Sequence, residues 1–273
     1  MPSLQFNDGH SIPQLGFGVY RVDPAETERI VTDALEVGYR HIDTAALYGN
    51  EEGVGAAIRK SGIPRDELFI TTKLWNTEHG EAKALAGIDD SLRKLGLDHV
   101  DLYLIHWPAP GKDLFVETWQ TFEKIRDAGK ATSIGVSNFR VQDLDRLARE
   151  TATVPVINQI ELHPFFVQQE LRDYDAAHGI LTESWGPLGH AVADVLGAGP
   201  LAEIAGAHGV APAQVVIRWH LQHGLVVIPK SNNRDRMQQN FDVFGFELTA
   251  DEMATIDALD TGTRSGADPD TLN

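Results

Sequence analysis

Four residues whose side chains can hold or transfer protons occupy regular positions in the first half of the chain. Asp43, Lys73 and His106 each follow an apolar run, and Tyr48 comes five residues after Asp43. Asp43 and Lys73 are 30 residues apart, and Lys73 and His106 are 33 apart, which is about the length of one strand-helix unit. Because the carboxyl ends of parallel strands meet at one edge, we expect an acid, an amine, an imidazole and a phenol to lie together.

This set of four predicts acid catalysis at a carbonyl group. A tyrosine has an ordinary pKa of ~10, and we expect the Lys73 ammonium to lower the pKa of Tyr48 by stabilising the phenolate. Asp43 would keep Lys73 charged, and His106 would hold the carbonyl oxygen beside the phenol. Each residue alone has a structural explanation, as a solvated lysine, a hydrogen-bonded histidine or a helix-capping aspartate. The combination at unit spacing is what indicates an active site.

Short apolar or β-branched runs alternate with helix-like periodicity along the chain. The first helix pattern begins with Asp23 as a cap and Pro24 at its first position, and it stops at Gly38. Eight strands alternating with helices favour a (β/α)8 TIM barrel of the α/β class, with an open doubly wound sheet as the alternative. We predict the strands at residues 14–19, 39–43, 68–73, 100–106, 133–136, 156–160, 180–184 and 225–229.

Three segments depart from the regular alternation. Residues 4–12 read as a β-hairpin with Asp-Gly at the turn, and we expect this hairpin to cap one end of the barrel. Two extra helix patterns, at 201–207 and 213–222, precede the last strand, and a final amphipathic helix at 249–259 comes before a polar tail. No linker-like segment divides the chain, so we expect residues 1–273 to form one domain.

The composition restricts the partners of the protein. With 40 acidic and 23 basic residues the chain carries a net charge of -17, which disfavours binding to nucleic acid or to an anionic membrane. No apolar run approaches the ~20 residues of a membrane span, and the chain starts without a signal-peptide pattern. The absence of cysteine excludes disulfides and thiolate sites. We expect a cytoplasmic protein whose anionic ligands are held by a local basic cluster.

Other chemical motifs are missing or incomplete. The stretch from Gly16 to Gly18 lacks the third glycine of a dinucleotide fingerprint, and there is no Walker motif and no His-Glu-x-x-His. Ser184 lacks the flanking glycines of a nucleophile elbow. The 11 histidines show no convincing metal-ligand spacing, so we expect no metal.

Six short stretches, in order along residues 4–259, carry a resemblance to a known family. They are GYRHIDTAALY at 38–48, ITTKLW at 70–75, LYLIHWP at 102–108, GVSNF at 135–139, NQIELHP at 158–164 and IPKS at 228–231. Together they closely resemble the aldo-keto reductases. The resemblance implies that Asp43, Tyr48, Lys73 and His106 are a catalytic tetrad with Tyr48 as the proton donor.

The same resemblance implies positions for a nicotinamide. Ser137, Asn138 and Gln159 match the residues that hold the nicotinamide carboxamide, a group that needs both donors and acceptors of hydrogen bonds. Trp185 matches the aromatic residue that stacks on the nicotinamide ring. The alternative for Trp185 is a core indole, because tryptophan is often simply buried.

The basic cluster after the last strand resembles a phosphate site. Lys230, Ser231 and Arg236 match the positions that bind the extra phosphate of NADP, which NAD lacks, with Asn240 near the adenine. Gln239 stands where an acidic adenine contact is expected. The resemblance therefore implies NADPH as the cofactor and weaker use of NADH. The alternative for the cluster is a solvated charged turn.

Apolar and aromatic residues near the strand ends are expected to line the substrate pocket. They are Tyr20, Ala46, Leu47, Trp75 and Trp107. The stretches at 45–55, 183–189 and 240–244 look most like the bacterial 2,5-diketo-D-gluconate reductases. This resemblance implies reduction of a small polar ketone or aldehyde, such as a keto-sugar acid, with methylglyoxal-like aldehydes as the alternative.

A protein that binds the cofactor without much catalysis is the alternative to a reductase. An NADPH-sensing or interaction subunit could keep the fold and the nucleotide while catalysing little. It would bind NADPH tightly and consume almost none across a panel of carbonyl compounds. The intact tetrad favours the reductase, which we also expect to be a monomer.

Overall fold

The N-terminal hairpin closes one end of the molecule. A computed structural model describes residues 1–189 and 194–273, and in it strand β1 (Ser3–Gln5) pairs antiparallel with β2 (Ser11–Pro13). Ile12 and Phe6 are buried against side chains from the barrel interior, among them Leu102. The hairpin predicted from the Asp-Gly turn is confirmed, and it covers the amino ends of the barrel strands.

Eight parallel strands follow in chain order around the barrel. They are β3 (Phe17–Gly18), β4 (His41–Asp43), β5 (Phe69–Leu74), β6 (Val100–Ile105), β7 (Ala131–Ser137), β8 (Ile157–Glu161), β9 (Leu181–Trp185) and β10 (Val226–Val227). The first and last are joined where Leu15 bridges Val227 in parallel and Gly16 N–H donates to the Val227 carbonyl at 2.9 Å. The (β/α)8 barrel is confirmed, and the open sheet is wrong.

Ten α-helices lie in the described part of the chain. They are α1 (Pro24–Val37), α2 (Glu51–Ser61), α3 (Glu81–Leu95), α4 (Phe115–Asp127), α5 (Val141–Glu150), α6 (Gln169–Ala177), α7 (Gly199–His208), α8 (Pro212–Gln222), α9 (Arg234–Phe241) and α10 (Ala250–Asp257). The Asp23 side chain caps α1 at the Ala25 N–H, and Gly38 ends it at φ 124°. None of these helices is long and apolar enough to span a membrane.

The helix α9 was not predicted, because its sequence lacks an apolar stripe. Only Met237 and Asn240 of its eight residues are buried. The helix is instead started by Asn233, whose side chain accepts from the Arg236 N–H at 3.0 Å. The two helices predicted before the last strand are α7 and α8, and the predicted C-terminal helix is α10.

The barrel interior is narrow where the first strand closes it. A Cβ at Gly16 would lie 2.4 Å from Nδ1 of His41, so only glycine fits there. Outside the strands, helices pack apolar faces that include the fully buried Trp119 and Trp219. Polar residues at the carboxyl ends of the strands, among them Asp43 and Gln159, line the cavity of the candidate site.

Candidate active site

A cavity of about 810 Å³ opens at the carboxyl ends of the strands. The predicted site residues that line it are Tyr20, Asp43, Leu47, Tyr48, Trp75, His106, Trp107, Ser137, Asn138, Gln159, Trp185 and Lys230. The predicted site residues outside its lining are Ala46, Lys73, Ser231, Arg236, Gln239 and Asn240. We call the group Asp43, Tyr48, Lys73 and His106 the floor of the cavity.

A fully buried ion pair forms the base of the floor. Lys73 Nζ is 2.5 Å from Asp43 Oδ1 and donates to the Thr44 carbonyl at 2.9 Å. The register that pairs β4 with β5 brings the two strand ends together. Burial alone would lower the pKa of the Lys73 ammonium, but Asp43 and Tyr48 hold it above its ordinary value. Lys73 is therefore charged although no water reaches it.

Tyr48 stands directly above this pair. It ends the short 3-10 helix Ala46–Tyr48, and its hydroxyl is 3.5 Å from Lys73 Nζ. Burial raises the pKa of Tyr48 to about 12, while Lys73 acts in the opposite direction. The expectation that Lys73 lowers the pKa of Tyr48 below its ordinary value is therefore wrong for the net shift, because desolvation outweighs the ammonium. The phenol keeps its proton at neutral pH.

His106 completes the floor as a neutral ring. Burial, with a contribution from Lys73, lowers the pKa of His106 well below its ordinary value. The imidazole makes edge contacts with Tyr48, at 5.7 Å between ring centroids, and with Trp75, at 5.2 Å. A neutral imidazole carries one N–H, so His106 can donate a hydrogen bond without bringing a charge into the cavity.

Polar groups from β7 and β8 form one wall. Asn138, in the left-handed region at φ 63°, donates from Nδ2 to the His106 carbonyl and to Ser137 Oγ, both at 3.0 Å. Ser137 Oγ in turn donates to the Gln159 carbonyl at 2.8 Å. The Trp185 indole N–H donates to Asn138 Oδ1 at 2.9 Å. The four residues predicted to surround a nicotinamide are thus brought together.

Gln159 is held by two carboxyl groups, one of which the sequence prediction missed. Its Nε2 donates to Asp43 Oδ2 and to Glu183 Oε2, each at 2.8 Å. Burial, reinforced by Asp43, raises the pKa of Glu183 to about 8. An acidic residue inside a predicted strand was the signal that could have identified it, since an unpaired carboxyl is rarely buried without a role.

The apolar wall differs from the prediction at one position. Tyr20 and Leu47 line the cavity and are 44% and 46% exposed, so they are accessible to a ligand. Trp75 and Trp107 also line it. Ala46 does not, because it begins the 3-10 helix and the following residues, Leu47 and Tyr48, face the cavity instead.

Two cations face the cavity at its outer edge. Lys230, after β10, lines the cavity, and burial together with nearby Arg21 lowers its pKa. Arg21 also lines the cavity and has a left-handed backbone, at φ 58°, a conformation that is uncommon outside glycine. Arg21 was not predicted, because a lone arginine in a loop carries no motif.

The two arginines of the basic cluster, Arg234 and Arg236, lie on α9 and do not line the cavity. Arg234 is paired with Asp33 at 2.9 Å and with Glu36 at 2.6 Å. Arg236 is exposed, and no carboxylate of the described residues lies within ion-pair distance of its guanidinium. The two arginines look equivalent in the sequence but differ in the structure, because Arg234 is paired with carboxylates and Arg236 is available to bind an anion.

The other predicted residues of this segment share the same location. The Ser231 hydroxyl is tied to the Asn233 backbone, accepting from its N–H at 3.1 Å. Gln239 is exposed on α9, and Asn240 is buried on the same helix. We call Arg21, Lys230 and Arg236, together with the C-terminal tail at 261–273, the rim of the cavity.

The tail is fastened to the barrel by Glu161. Both the N–H and the hydroxyl of Ser265 donate to Glu161 Oε1 at 2.6 Å, and the Gly266 N–H donates to Oε2 at 2.9 Å. Burial alone would raise the pKa of Glu161, but these donors and His163 lower it to about 2. Leu272 and residues 265–267 then line the cavity. The prediction of a plain polar tail missed this contact.

Gly266 explains why the tail can lie so close to the barrel. A Cβ at this position would be 2.3 Å from Cη2 of Trp185 and 2.9 Å from Glu161 Oε2. Among residues 1–189 and 194–273 no group of three or more potential ligands could hold a metal ion.

Known proteins with similar sequences include several reductases. A family model described as the aldo/keto reductase family matches residues 13–261. An aldo-keto reductase of Mycolicibacterium smegmatis is 52% identical over 272 residues, which cover 100% of this chain and 98% of the relative. The methylglyoxal reductase DkgA of Escherichia coli K12 is 49% identical over 267 residues, with coverage of 98% and 96%.

A solved structure extends the comparison to a bound nucleotide. A variant of Gox0644, crystallised in complex with NADPH, superposes with a TM-score of 0.95 at 48% identity. The superposition covers 100% of this chain and 98% of that chain.

Proposed function

The chain belongs to the aldo/keto reductase family, and from this premise we propose that it is an NADPH-dependent reductase of small polar ketones and aldehydes. Membership makes it an oxidoreductase of carbonyl and alcohol groups. One observation carries the assignment of roles: the Tyr48 hydroxyl stands in the cavity 3.5 Å from a buried ammonium whose charge Asp43 maintains.

The polar wall suits a nicotinamide carboxamide. Both N–H groups of the Gln159 amide donate to carboxyl groups, so its Oε1 is available to accept a hydrogen bond from an amide N–H. Asn138 and Ser137 lie beside it, and the Trp185 ring lines the same cavity. When bound there, NADPH would supply the hydride. The complex of the Gox0644 variant with NADPH supports this assignment by homology.

The rim suits the phosphates of the same cofactor. Arg21 and Lys230 line the cavity, and the mutual repulsion that contributes to the lowered pKa of Lys230 would be relieved by an anion. Arg236 has no carboxylate partner and can form a charge-assisted pair with the additional phosphate of NADPH. Ser231 is proposed to bind beside it, with Gln239 and Asn240 at the adenine. NADH would bind more weakly.

The floor supplies the proton for the reaction. The phenol of Tyr48 is protonated at neutral pH and donates to the carbonyl oxygen as that oxygen becomes an alkoxide. Lys73 then lies next to the phenolate that forms and stabilises its charge, while Asp43 prevents loss of the ammonium proton. His106 donates its N–H to the same oxygen and orients it.

The substrate is proposed to be small and polar. Tyr20, Leu47, Trp75 and Trp107 leave apolar walls around the Tyr48 hydroxyl, and residues 265–267 cover part of the cavity. A relative named methylglyoxal reductase DkgA supports a short aldehyde. A keto-sugar acid such as 2,5-diketo-D-gluconate is the other proposed substrate, and a broad range of aldehydes fits the same cavity.

Steady-state turnover tests the function directly. The purified protein is assayed with methylglyoxal, keto-sugar acids, simple aldehydes and sugars, first with NADPH and then with NADH. We expect oxidation of NADPH with at least one small polar carbonyl compound and slower turnover with NADH. Tight NADPH binding without turnover across the panel would instead favour the NADPH-sensing subunit.

Three expectations from the sequence stay predictions. They are that residues 1–273 act as one domain, that the protein is a monomer and that it is cytoplasmic. Size-exclusion chromatography with light scattering would test the second.

A further inference from the structure

Glu183 places a second carboxyl group in the barrel interior that the proposed reaction does not use. The residue lies on β9 and is fully buried. Its Oε2 accepts from Gln159 Nε2, the same nitrogen that donates to Asp43 Oδ2, and both distances are 2.8 Å. An amide nitrogen has only two hydrogens. Each is therefore directed at one carboxyl group, and the plane of the Gln159 amide is fixed by both.

The two carboxyl groups differ in their other partners. Asp43 has the Lys73 ammonium at 2.5 Å, whereas the nearest basic nitrogen to Glu183 is Nε2 of His41, 3.8 Å from its Oε1. Burial lowers the pKa of His41 to about 3, so that ring is neutral. Within the described residues, Glu183 Oε1 has no hydrogen-bond partner. One ammonium thus faces two buried carboxyl groups.

Charge balance places the extra proton on Glu183. If both carboxyl groups were ionised, a net negative charge would remain in a region closed to water, which is costly. Asp43 is the one stabilised by direct contact with Lys73, so Glu183 is the one that stays protonated. This agrees with the raised pKa of about 8, which burial causes and Asp43 reinforces.

We propose that Glu183 is a positioning residue, which as an uncharged acid holds the Gln159 amide so that Oε1 is presented to the nicotinamide carboxamide. The inference rests on the proposed NADPH function. Asp43 alone can keep the Gln159 nitrogen turned away from the cavity, because it is an ionised acceptor. Glu183 takes the second N–H and removes the remaining rotation of the amide.

Ionisation of Glu183 has a consequence that a packing role would not have. Above about pH 8 a second negative charge appears beneath the polar wall, and it favours the oxidised nicotinamide, which is cationic, over the reduced one. The charged and titratable groups that face Glu183 are His41 and Asp43 on β4 and Lys73 on β5. His41 stays neutral and the pKa of Lys73 is raised, so neither changes charge near pH 8.

The first test measures NADPH affinity by fluorescence titration. Glu183→Leu removes the acceptor, and we expect NADPH to bind about tenfold more weakly, the loss of one orienting hydrogen bond. Glu183→Gln keeps an oxygen for the Gln159 N–H, and we expect affinity within about twofold of wild type. Unchanged affinity in Glu183→Leu, or an equal loss in both variants, would overturn the positioning role.

A second measurement does not depend on Glu183→Leu folding. The ratio of the dissociation constants of NADP⁺ and NADPH is measured from pH 7 to pH 9.5. Because both nucleotides carry the same phosphates, titration of those phosphates cancels in the ratio. In wild type we expect it to fall about threefold, and in Glu183→Gln to stay constant. A ratio that falls equally in both would show that Glu183 is not the titrating group.

A matched control comes from the same part of the barrel. Asp175 on α6 is also buried, accepts from Thr182 Oγ1 on β9 at 3.0 Å, and has its pKa raised by burial to about 8. Asp175→Asn should change neither NADPH affinity nor the ratio. If the wild-type protein fails to bind NADPH, the proposed function itself is contradicted. If the wild type binds NADPH but the Glu183 variants match it in affinity and in the pH dependence of the ratio, only this inference is contradicted.

Discussion

The two charged groups on the floor of the cavity are buried and paired with each other, whereas those at the rim are more exposed and come from segments far apart in the chain. On the floor, Lys73 and Asp43 stand on neighbouring strands whose register fixes their contact. At the rim, Arg236 projects from a polar helix, and the tail contacts the barrel at several points, among them Glu161 and the Phe165 carbonyl.

This difference indicates what each region can control. The floor cannot change without disturbing buried charges, so substitutions there should affect the chemical step and the stability of the fold. The rim can change by local movement of exposed groups, so substitutions there should affect the affinity for ligands. Four experiments test this division, beginning with the largest expected effect.

Tyr48→Phe should separate chemistry from binding most clearly. The substitution removes the proton donor and keeps the ring that contacts Tyr20 and His106. Loss of a positioned general acid lowers turnover by about 10²- to 10⁴-fold, while the dissociation constant of NADPH should stay near its wild-type value. Single-turnover reduction and a fluorescence titration of NADPH measure the two quantities. Retained turnover would remove Tyr48 from its proposed role.

Lys73→Met should show that the floor is also a structural unit. Removing the ammonium leaves Asp43 buried without its partner, which costs about 3–5 kcal/mol of stability. The double substitution Lys73→Met with Asp43→Leu removes both charges, and we expect it to recover a large part of that loss. Urea unfolding gives both free energies. If the double variant were no more stable than Lys73→Met, a buried carboxylate without its ammonium would not be the source of the lost stability.

The floor was predictable from the sequence because its residues obey the barrel repeat. Asp43 and Lys73 lie at the carboxyl ends of β4 and β5, and His106 directly follows β6. The spacing of the strands alone places them at one edge. The sign of the net pKa shift of Tyr48 was not predictable, because it depends on how completely the phenol is buried, and burial is a property of the packed structure.

The rim was harder to predict because no local pattern specifies it. The tail reaches Glu161 across 104 residues of sequence through the backbone N–H groups of Ser265 and Gly266, which leave no signal in residue type. The difference between Arg234 and Arg236 depends on Asp33 and Glu36 on α1, again far away in the chain. Resemblance selected Arg236, and the ion pairs explain why.

Arg236→Ala and Arg234→Ala form a matched pair of variants at the rim. Arg236 has no carboxylate partner in the described residues, so its loss should weaken NADPH by about 10- to 100-fold, the value of a charge-assisted contact to phosphate. NADH lacks that phosphate and should be unaffected. Arg234 is already paired with Asp33 and Glu36, so its removal should change NADPH affinity little. Equal losses for NADPH and NADH would contradict the phosphate contact.

Glu161→Gln should have the smallest effect on function, and it tests whether the tail acts on the substrate or on the cofactor. The folded pKa of about 2 lies below the ordinary value of 4.5, so the contribution of this carboxylate to holding the tail is fully present above about pH 4.5 and is lost as the pH falls toward 2. At neutral pH the variant keeps one acceptor oxygen, replaces the other with an amide nitrogen that cannot accept, and loses the charge. We expect about fivefold faster amide hydrogen exchange at Ser265 and Gly266 and a higher KM for the carbonyl substrate, with NADPH affinity unchanged.

A second carboxylate serves as the control for this last experiment. Glu252 also has a lowered pKa, through its cap of α10 and its contact with His208, but it lies outside the cavity lining. Glu252→Gln should therefore leave both the exchange of the tail and the KM unchanged. If Glu161→Gln instead lowered NADPH affinity as strongly as Arg236→Ala, the tail would act on the cofactor through Trp185, against which Gly266 packs. The tail would then contribute to binding of both the substrate and the cofactor, and it could not be assigned to substrate binding alone.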